Sequence, residues 1–349
     1  MKRRITIKDI ALKLNISPTA VSKALNDHSD ISDALKQRVQ EVAKEMGYTP
    51  NVIAKRLVTN KSNTIGCFML GRHDIQEETF GFHLIGGVLD EANRNEYDIL
   101  LFTTTSSQSP RPDYIEMCLE RQVEGAIFTG LRLDDPYLDK IQKAPFPIVI
   151  VDTEIEGDNI YCVTSDNYGG VLKAMQYLWD LGHERIAFIS GHEHAQVSQI
   201  RLKAYQQFMK DKGVYEEHLV FPGDFTRQSG FRAALQILAS KTDPTAVLVA
   251  SDLMALGAIQ AFKRAGLHIP RDISVVGIDN ILACEYIEPP LTTIGQNPLR
   301  MGEAAVKTVL GALKHKKKQR RIALEMDLIV RGSCGPNLRK LGNQVEELQ

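Results

Sequence analysis

Ser17-Pro18-Thr19-Ala20-Val21-Ser22-Lys23-Ala24-Leu25-Asn26 combines hydroxyls, an amide and an ammonium with an apolar helical backing. Ala20, Val21, Ala24 and Leu25 share the face that must be buried, which turns Pro18, Thr19, Ser22 and Lys23 outward. Short donors beside a cation are what a helix needs to meet base edges and phosphates in duplex DNA. The charge distribution agrees. The first sixty residues hold eleven Lys/Arg against six Asp/Glu, a surplus of +5. The chain totals are 42 and 43, so the remaining residues hold 31 against 37, or −6. A near-neutral chain thus carries a basic head on an acidic body, the asymmetry of a DNA-binding module joined to something else.

Other reactive-looking groups carry less. His192-Glu193-His194 lacks a third ligand nearby in sequence, so its residues read as loop polar groups and no metal site is expected. Cys67, Cys118, Cys162, Cys284 and Cys334 form no C-x-x-C pair and read as reduced thiols. Gly81, Gly86 and Gly87 make no phosphate-binding fingerprint. The basic run Lys314-His315-Lys316-Lys317-Lys318-Gln319-Arg320-Arg321 lies between a helix and a strand at 322–328, so it reads as a solvated loop. No set of nucleophile, base and orienting group emerges, so no catalytic residues, enzyme activity or cofactor are expected.

The elements that must position the head follow from caps and spacing. Thr6 caps a helix start with Asp9 three residues on, and Ile7, Ile10, Ala11 and Leu14 share one face. Asn15-Ile16 makes a turn, Ser17 caps again, and Pro18 takes the first helical position, where its missing N–H costs nothing. Ser32 starts a third helix with Leu35, Val39, Val42 and Met46 inward and Gly47 as its stop. This is a helix-turn-helix with a brace, although a small helical bundle with a solvated basic face would show the same pattern. Residues 51–57 then form a run too short to be helical alone, followed by the polar linker 59–63; the run should order only with a partner.

From residue 64 short apolar strands alternate with amphipathic helices. Strands are expected at Ile65–Leu70, Ile99–Phe102, Val123–Phe128 and Pro147–Val151, with a helix over roughly 80–95. A second series is expected at Ile186–Ser190, Leu219–Phe221, Ala246–Ala250 and Ile273–Ile278. Regular alternation implies parallel sheets in α/β layers, and the length favours two subdomains.

The chain resembles the lactose-repressor (LacI/GalR) family of bacterial transcription regulators end to end. Ile5 to Asn26 resembles its I-x-D-V-A-x-x-x-x-V-S-x-x-T-V-S-R-x-L-N start, and Pro50 to Leu57 its P-N-x-x-A-R-x-L hinge. Val163 to Gly170, Leu181 to Ala187, Ala250 to Gly257, Pro270 to Asn280 and Leu291 to Ile294 resemble further family motifs in the family's order. The resemblance implies an α/β fold: an all-α helix-turn-helix head plus a two-lobed sensor of the periplasmic-binding-protein type, with chain crossings near 161, 292 and 323. The boundaries are a DNA-binding head at 1–50 and a hinge helix and linker at 51–63. One lobe takes 64–161 with 292–323, a second takes 162–291 with 324–340, and 341–349 is a polar tail.

The resemblance also implies residue roles. Pro18, Thr19 and Lys23 would face base edges, with Thr6, Ser17, Ser22, Asn26, Asn51 and Lys55 among the other DNA contacts. Leu57 would wedge into the minor groove with Ala54 beside it, unstacking a step and bending the duplex. In the cleft, Arg201 would clamp ligand with its planar fork, Asp279 would accept ligand hydrogen bonds, and Phe225 would offer a ring face. Ser251, Thr129, Asp152 and Phe80 would also line it. The implied effector is a small molecule, a sugar or sugar derivative. Departures stand at Ala20 for Thr, at Lys23 and Lys55 for Arg, at Ala204 for Gly, and at Ala195 and Val197, which are apolar. They make both the operator sequence and the effector this chain's own. The expected partners are palindromic operator DNA, the effector and a second copy of the chain. The basic start Met1-Lys2-Arg3-Arg4 is followed by no apolar run, and no stretch reaches membrane-spanning length, so the expected location is the cytoplasm. The alternative, an exported or cytosolic sugar-binding protein without a transcriptional role, is disfavoured by the DNA-binding head and by the lack of a signal peptide.

Overall fold

A computed structural model describes residues 5–49, 61–72, 80–105, 113–240, 242–315 and 319–338. The chain divides into two compact units, Met1–Ser62 and Asn63–Gln349. In the first, α1 (Ile7–Leu14), α2 (Pro18–Leu25) and α3 (Asp33–Glu45) close around Ile10, Ala11, Val21, Ala24, Val39 and Ala43. Ile10, Val21 and Val39 are wholly buried, each contributing roughly 1.5–3 kcal/mol of apolar burial. That burial holds helices of eight residues, which would not persist alone. The ends are built as the caps imply. Asp9 Oδ2 accepts from the Thr6 N–H at 2.8 Å and from its Oγ1 at 2.7 Å. Ser17 Oγ accepts from the Ala20 N–H at 3.1 Å with Pro18 at the first helical position. Asn15 turns the chain at φ 53°, a conformation Asn tolerates. Gly47, at φ 66°, follows α3.

The second unit holds two six-stranded sheets. The first contains β1 (Thr64–Arg72), β2 (Asp98–Thr105), β3 (Gly125–Thr129), β4 (Ile148–Val151), β5 (Ile160–Ser165) and a late β11 (Arg321–Leu324), in the order β11-β5-β4-β3-β1-β2. All its pairings are parallel. Parallel strands buried on both faces need apolar residues at every position, which is why the sequence shows runs and not alternation. Ile65, Cys67 and Met69 face one core with α4 (Phe80–Arg94) and α12 (Pro298–Leu313). Phe68 and Leu70 face the other, beneath α5 (Tyr114–Glu120) and α6 (Leu138–Gln142).

The second sheet runs β12-β10-β9-β8-β6-β7. Its strands are β6 (Ile186–Ile189), β7 (Val220–Phe221), β8 (Ala246–Val249), β9 (Ser274–Asp279), β10 (Thr292–Gly295) and the antiparallel β12 (Asp327–Ile329). Around it lie α7 (Asn167–Asp180), α8 (Gln196–Asp211), α9 (Arg227–Ala239), α10 (Asp252–Arg264) and the single turn α11 (Ala283–Tyr286). Backbone-close helix pairing recurs in both lobes. A Cβ on Gly87 would lie 1.9 Å from Leu299 O, and one on Gly257 would lie 2.0 Å from Arg227 O.

Sheet membership shifts the expected lobe boundaries. Residues 162–165 stay in the first sheet, Thr292–Gly295 belong to the second, and Leu324 remains in the first. The crossings therefore fall at Asp166, at Gln296-Asn297 and at Glu325-Met326, not at 161, 292 and 323. The expected single strand at 322–328 is two strands in two sheets, because it spans the last crossing. Among the described residues, no helix is long and apolar enough to cross a membrane.

Candidate functional site

The two sheets of the second unit face a cavity of about 290 Å³, open to solvent. Its walls include Phe80, Thr129 and Asp152 from the first lobe and Arg201, Phe225, Ser251 and Asp279 from the second. All seven residues expected in the cleft are thus brought together. Four of them sit where a strand ends or a helix begins: Thr129 closes β3, Asp152 follows β4, Asp279 closes β9, and Ser251 caps α10 by accepting from the Met254 N–H at 3.3 Å. That is the carboxyl end of parallel strands, where side chains from several loops converge.

Three of these residues hold positive φ without being glycine: Asp152 at 63°, Phe225 at 69° and Asp279 at 126°. Such conformations cost energy and persist where surrounding bonds enforce them. For Phe225 the enforcement is steric, since its ring lies against Gly191, where a Cβ would meet Cζ at 2.2 Å. For Asp279 it is a hydrogen bond: Gln296 Nε2 donates to Oδ1 at 2.6 Å. Asp152 Oδ1 accepts from Thr164 Oγ1 at 2.7 Å.

Arg201 is almost wholly buried, at 3% exposure. Its Nε donates to Asn167 Oδ1 at 2.8 Å and its Nη1 to Ala250 O at 2.6 Å. Asn167 in turn donates to Ser165 O at 3.0 Å. Asp152 and Asp279 lie within the field of this guanidinium, which favours their charged forms. The carboxyls outnumber the cation that faces both, and burial dominates. It pushes the Asp279 carboxyl up to about 7, against the pull of Arg201, and it raises Asp152 likewise. The floor of the cleft is therefore rich in acceptors and suited to ligand hydroxyls.

Four residues beyond the expected set complete the site. Gln296 lies on the middle crossing and joins Asp279 to Ser165, whose Oγ donates to Gln296 Oε1 at 2.9 Å. It ties the Asp279 carboxyl to the segments where the chain crosses between the lobes. Gln196 bridges the lobes at the rim: Oε1 accepts from the Glu154 N–H at 2.7 Å, and Nε2 donates to Glu154 O at 3.2 Å. His192, read from sequence as a loop residue, lines the cleft, and its Nδ1 accepts from the His194 N–H at 3.1 Å. Asp252 is wholly buried; it accepts from Thr293 Oγ1 at 2.6 Å and the Ile281 N–H at 3.0 Å, which fixes the loop after Asp279. Its place in the motif Ala250 to Gly257 was the one signal available for it. Ala195 and Val197 also line the cavity.

In the first unit Ser17, Pro18, Thr19, Asn26 and Thr6 are exposed, while Ser22 and Lys23 are half-buried. Ser17 is engaged in capping, and Asn26 Nδ2 donates to Ser22 O at 2.8 Å. Lys23 is ion-paired with Asp30. Asn51, Ala54, Lys55 and Leu57, with the expected hinge helix, lie outside the described residues.

Comparison with known proteins agrees with both units. The family described as bacterial regulatory proteins, lacI family, matches residues 6–51, and the periplasmic binding protein-like domain matches residues 175–334. The chain is 31% identical over 331 residues to the HTH-type transcriptional repressor PurR of Photobacterium profundum, covering 94% of this chain and 98% of that one. It is 32% identical over 332 residues to the HTH-type transcriptional repressor CytR of Escherichia coli, covering 94% and 96%. The Lac repressor dimer bound to operator and the anti-inducer ONPF matches at TM-score 0.83 and 25% identity, covering 95% of this chain and 100% of that one. The transcriptional regulator CelR–cellobiose complex matches at TM-score 0.73 and 28% identity, with the same coverage. The chain belongs to the lacI family of bacterial regulatory proteins and is a DNA-binding transcription regulator with a helix-turn-helix head and a periplasmic-binding-protein-like domain.

Proposed function

We propose that the chain is a cytoplasmic repressor that acts as a homodimer on a palindromic operator, and that a sugar or sugar derivative bound in the cleft sets its hold on DNA. The observation that carries this reading is Gln296. It donates to the acid expected to take ligand hydroxyls and accepts from Ser165 at the first crossing. A ligand that draws Asp279 and Arg201 toward the first lobe changes the lobe angle through those crossings. The relatives described as transcriptional repressors support repression, and the cellobiose of the CelR complex supports a sugar. In the head, Thr19, Pro18 and Lys23 meet base edges, and Ser17, Ser22, Asn26 and Thr6 contribute at the backbone. Asn51, Ala54, Lys55 and Leu57 form the conditional hinge through which the lobe angle reaches DNA.

The test is a thermal-shift screen of the full chain against sugars, sugar phosphates and nucleobases, followed by calorimetry on any stabilising compound. A neutral sugar should stabilise the wild type and fail to bind Asp279→Ala. Stabilisation by nucleobases alone would overturn the sugar assignment. Undiminished binding to Asp279→Ala would overturn the cleft.

A further inference from the structure

The head contains an arrangement that base recognition alone does not require. α2 ends in a closed turn: the Asp27 N–H donates to Ala24 O at 3.4 Å and the His28 N–H to Lys23 O at 3.1 Å, with Asp27 at φ 57°. This six-to-one and five-to-two pairing is the Schellman closure, with Asp in the position glycine usually takes. It folds residues 28–30 back along the last turn of the outward helix. The return brings the Asp30 carboxylate onto the Lys23 ammonium, seven residues away. The Lys23 partner holds the Asp30 carboxyl below the usual range. The pair is accessible, with side chains 41% and 53% exposed, so solvent and DNA reach both groups.

An ammonium offers three N–H donors. One satisfies Asp30; two remain for other acceptors. The carboxylate cancels the charge that would draw Lys23 to any phosphate. It leaves intact the hydrogen-bond donors that a neutral base edge, such as guanine O6 or N7, can use. Phosphate attraction is sequence-blind, whereas base-edge donation is not. Asp30 also fixes the direction of a long flexible side chain before DNA arrives, which Lys lacks on its own beside a planar Arg.

We propose that Asp30 is a specificity-determining residue of the head: by pairing with Lys23 it withdraws that cation from phosphate binding while aiming its remaining donors at a base edge. This rests on the placement of Lys23 at the DNA surface.

The test uses the full chain, random-sequence duplex, and a duplex selected from a randomised pool by the wild type, with affinity read by fluorescence anisotropy across salt. Asp30→Asn frees Lys23 for one more phosphate. Its log–log salt slope on random duplex should steepen by about 0.9, so that from about 200 to 50 mM salt it gains about threefold more affinity than the wild type. Its preference for the selected duplex over random duplex should fall. In a Lys23→Met background Asp30→Asn should leave the slope unchanged, which separates action through Lys23 from loss of a negative charge. An unchanged slope in the single variant, or the same steepening with and without Lys23, overturns the proposal. A Lys23→Met variant that binds both duplexes as the wild type does would show that Lys23 does not touch DNA, and the proposal would fall with that placement. Helical circular dichroism of each variant confirms that the head is folded.

Discussion

Replacing Asp279 with Asn should stabilise the second lobe while destroying the acceptor in its cleft. Burial pushes the wild-type carboxyl up to about 7 from an ordinary 3.8. Between those values the folded protein holds a proton that the unfolded chain releases. Stability is therefore highest in acid and falls as pH rises, until the folded group ionises near 7. At about 1.36 kcal/mol per pH unit, the wild type loses about 2.7 kcal/mol between pH 5 and pH 7 from this group, a ceiling because Asp152 and Asp252 share the field. Asn carries no such dependence, keeps an oxygen for Gln296, and tolerates the positive φ as well as Asp does. The assay is urea unfolding at pH 5 and pH 8, followed by the one Trp of the chain. Trp179 packs edge-on against Phe208 at 6.2 Å in the lobe that carries Asp279, so its emission reports that lobe. The stability of Asp279→Asn relative to the wild type should grow from pH 5 to pH 8. A difference that stays flat or shrinks would show that Asp279 is not an ionised group held against burial.

Three further outcomes follow from particular contacts. Gly257→Ala would place a Cβ 2.0 Å from Arg227 O and 2.8 Å from Phe231 N, both backbone atoms; parting the two helices should cost about 1–3 kcal/mol, and an unchanged urea midpoint would refute the close contact. Gln196→Ala removes the side chain that accepts from the Glu154 N–H, so exchange–mass spectrometry should show faster amide exchange around residues 153–155, and unchanged exchange would mean that the rim contact does not hold the lobes. His183 is buried between Thr245 and Gly335, and burial lowers its pKa, so the neutral ring stabilises the fold above its unfolded value of 6.5 and that contribution is lost as pH falls below it. The stability lost on His183→Gln should therefore be larger at pH 7.5 than at pH 5, read as the difference in urea midpoint from the wild type at each pH.

Much of this was legible because it is written in local signals. Caps such as Thr6 with Asp9, and Ser17 with Pro18, mark helix starts whatever the tertiary context. Unbroken apolar runs such as Ile148–Val151 mark strands covered on both faces. Arg201 and Asp279 were reachable through motif order, although nothing local shows that they meet. What the sequence did not show depends on distance through space. Gln296 is a common residue after a strand; its role exists only because a crossing lays it between Asp279 and Ser165. Gln196 acts on the backbone of Glu154, which leaves no mark on residue 154 itself. The split at Glu325-Met326 was hidden because two short strands of one pattern lie end to end in different sheets. His192 looked like half of a weak metal motif, and its place in the cleft comes from where β6 ends.

The central claim is that the cleft and the operator are coupled, and the most direct measurement is anisotropy of the selected duplex with the full chain, with and without a saturating amount of the stabilising sugar. Duplex affinity should change by about 5- to 150-fold, and bound duplex should change sugar affinity by the same factor, since coupling is reciprocal. Arg201→Ala should hold the duplex as tightly as the ligand-free wild type and show no response to sugar. Duplex affinity unmoved by saturating sugar, or an Arg201→Ala variant that responds as the wild type does, would contradict the account.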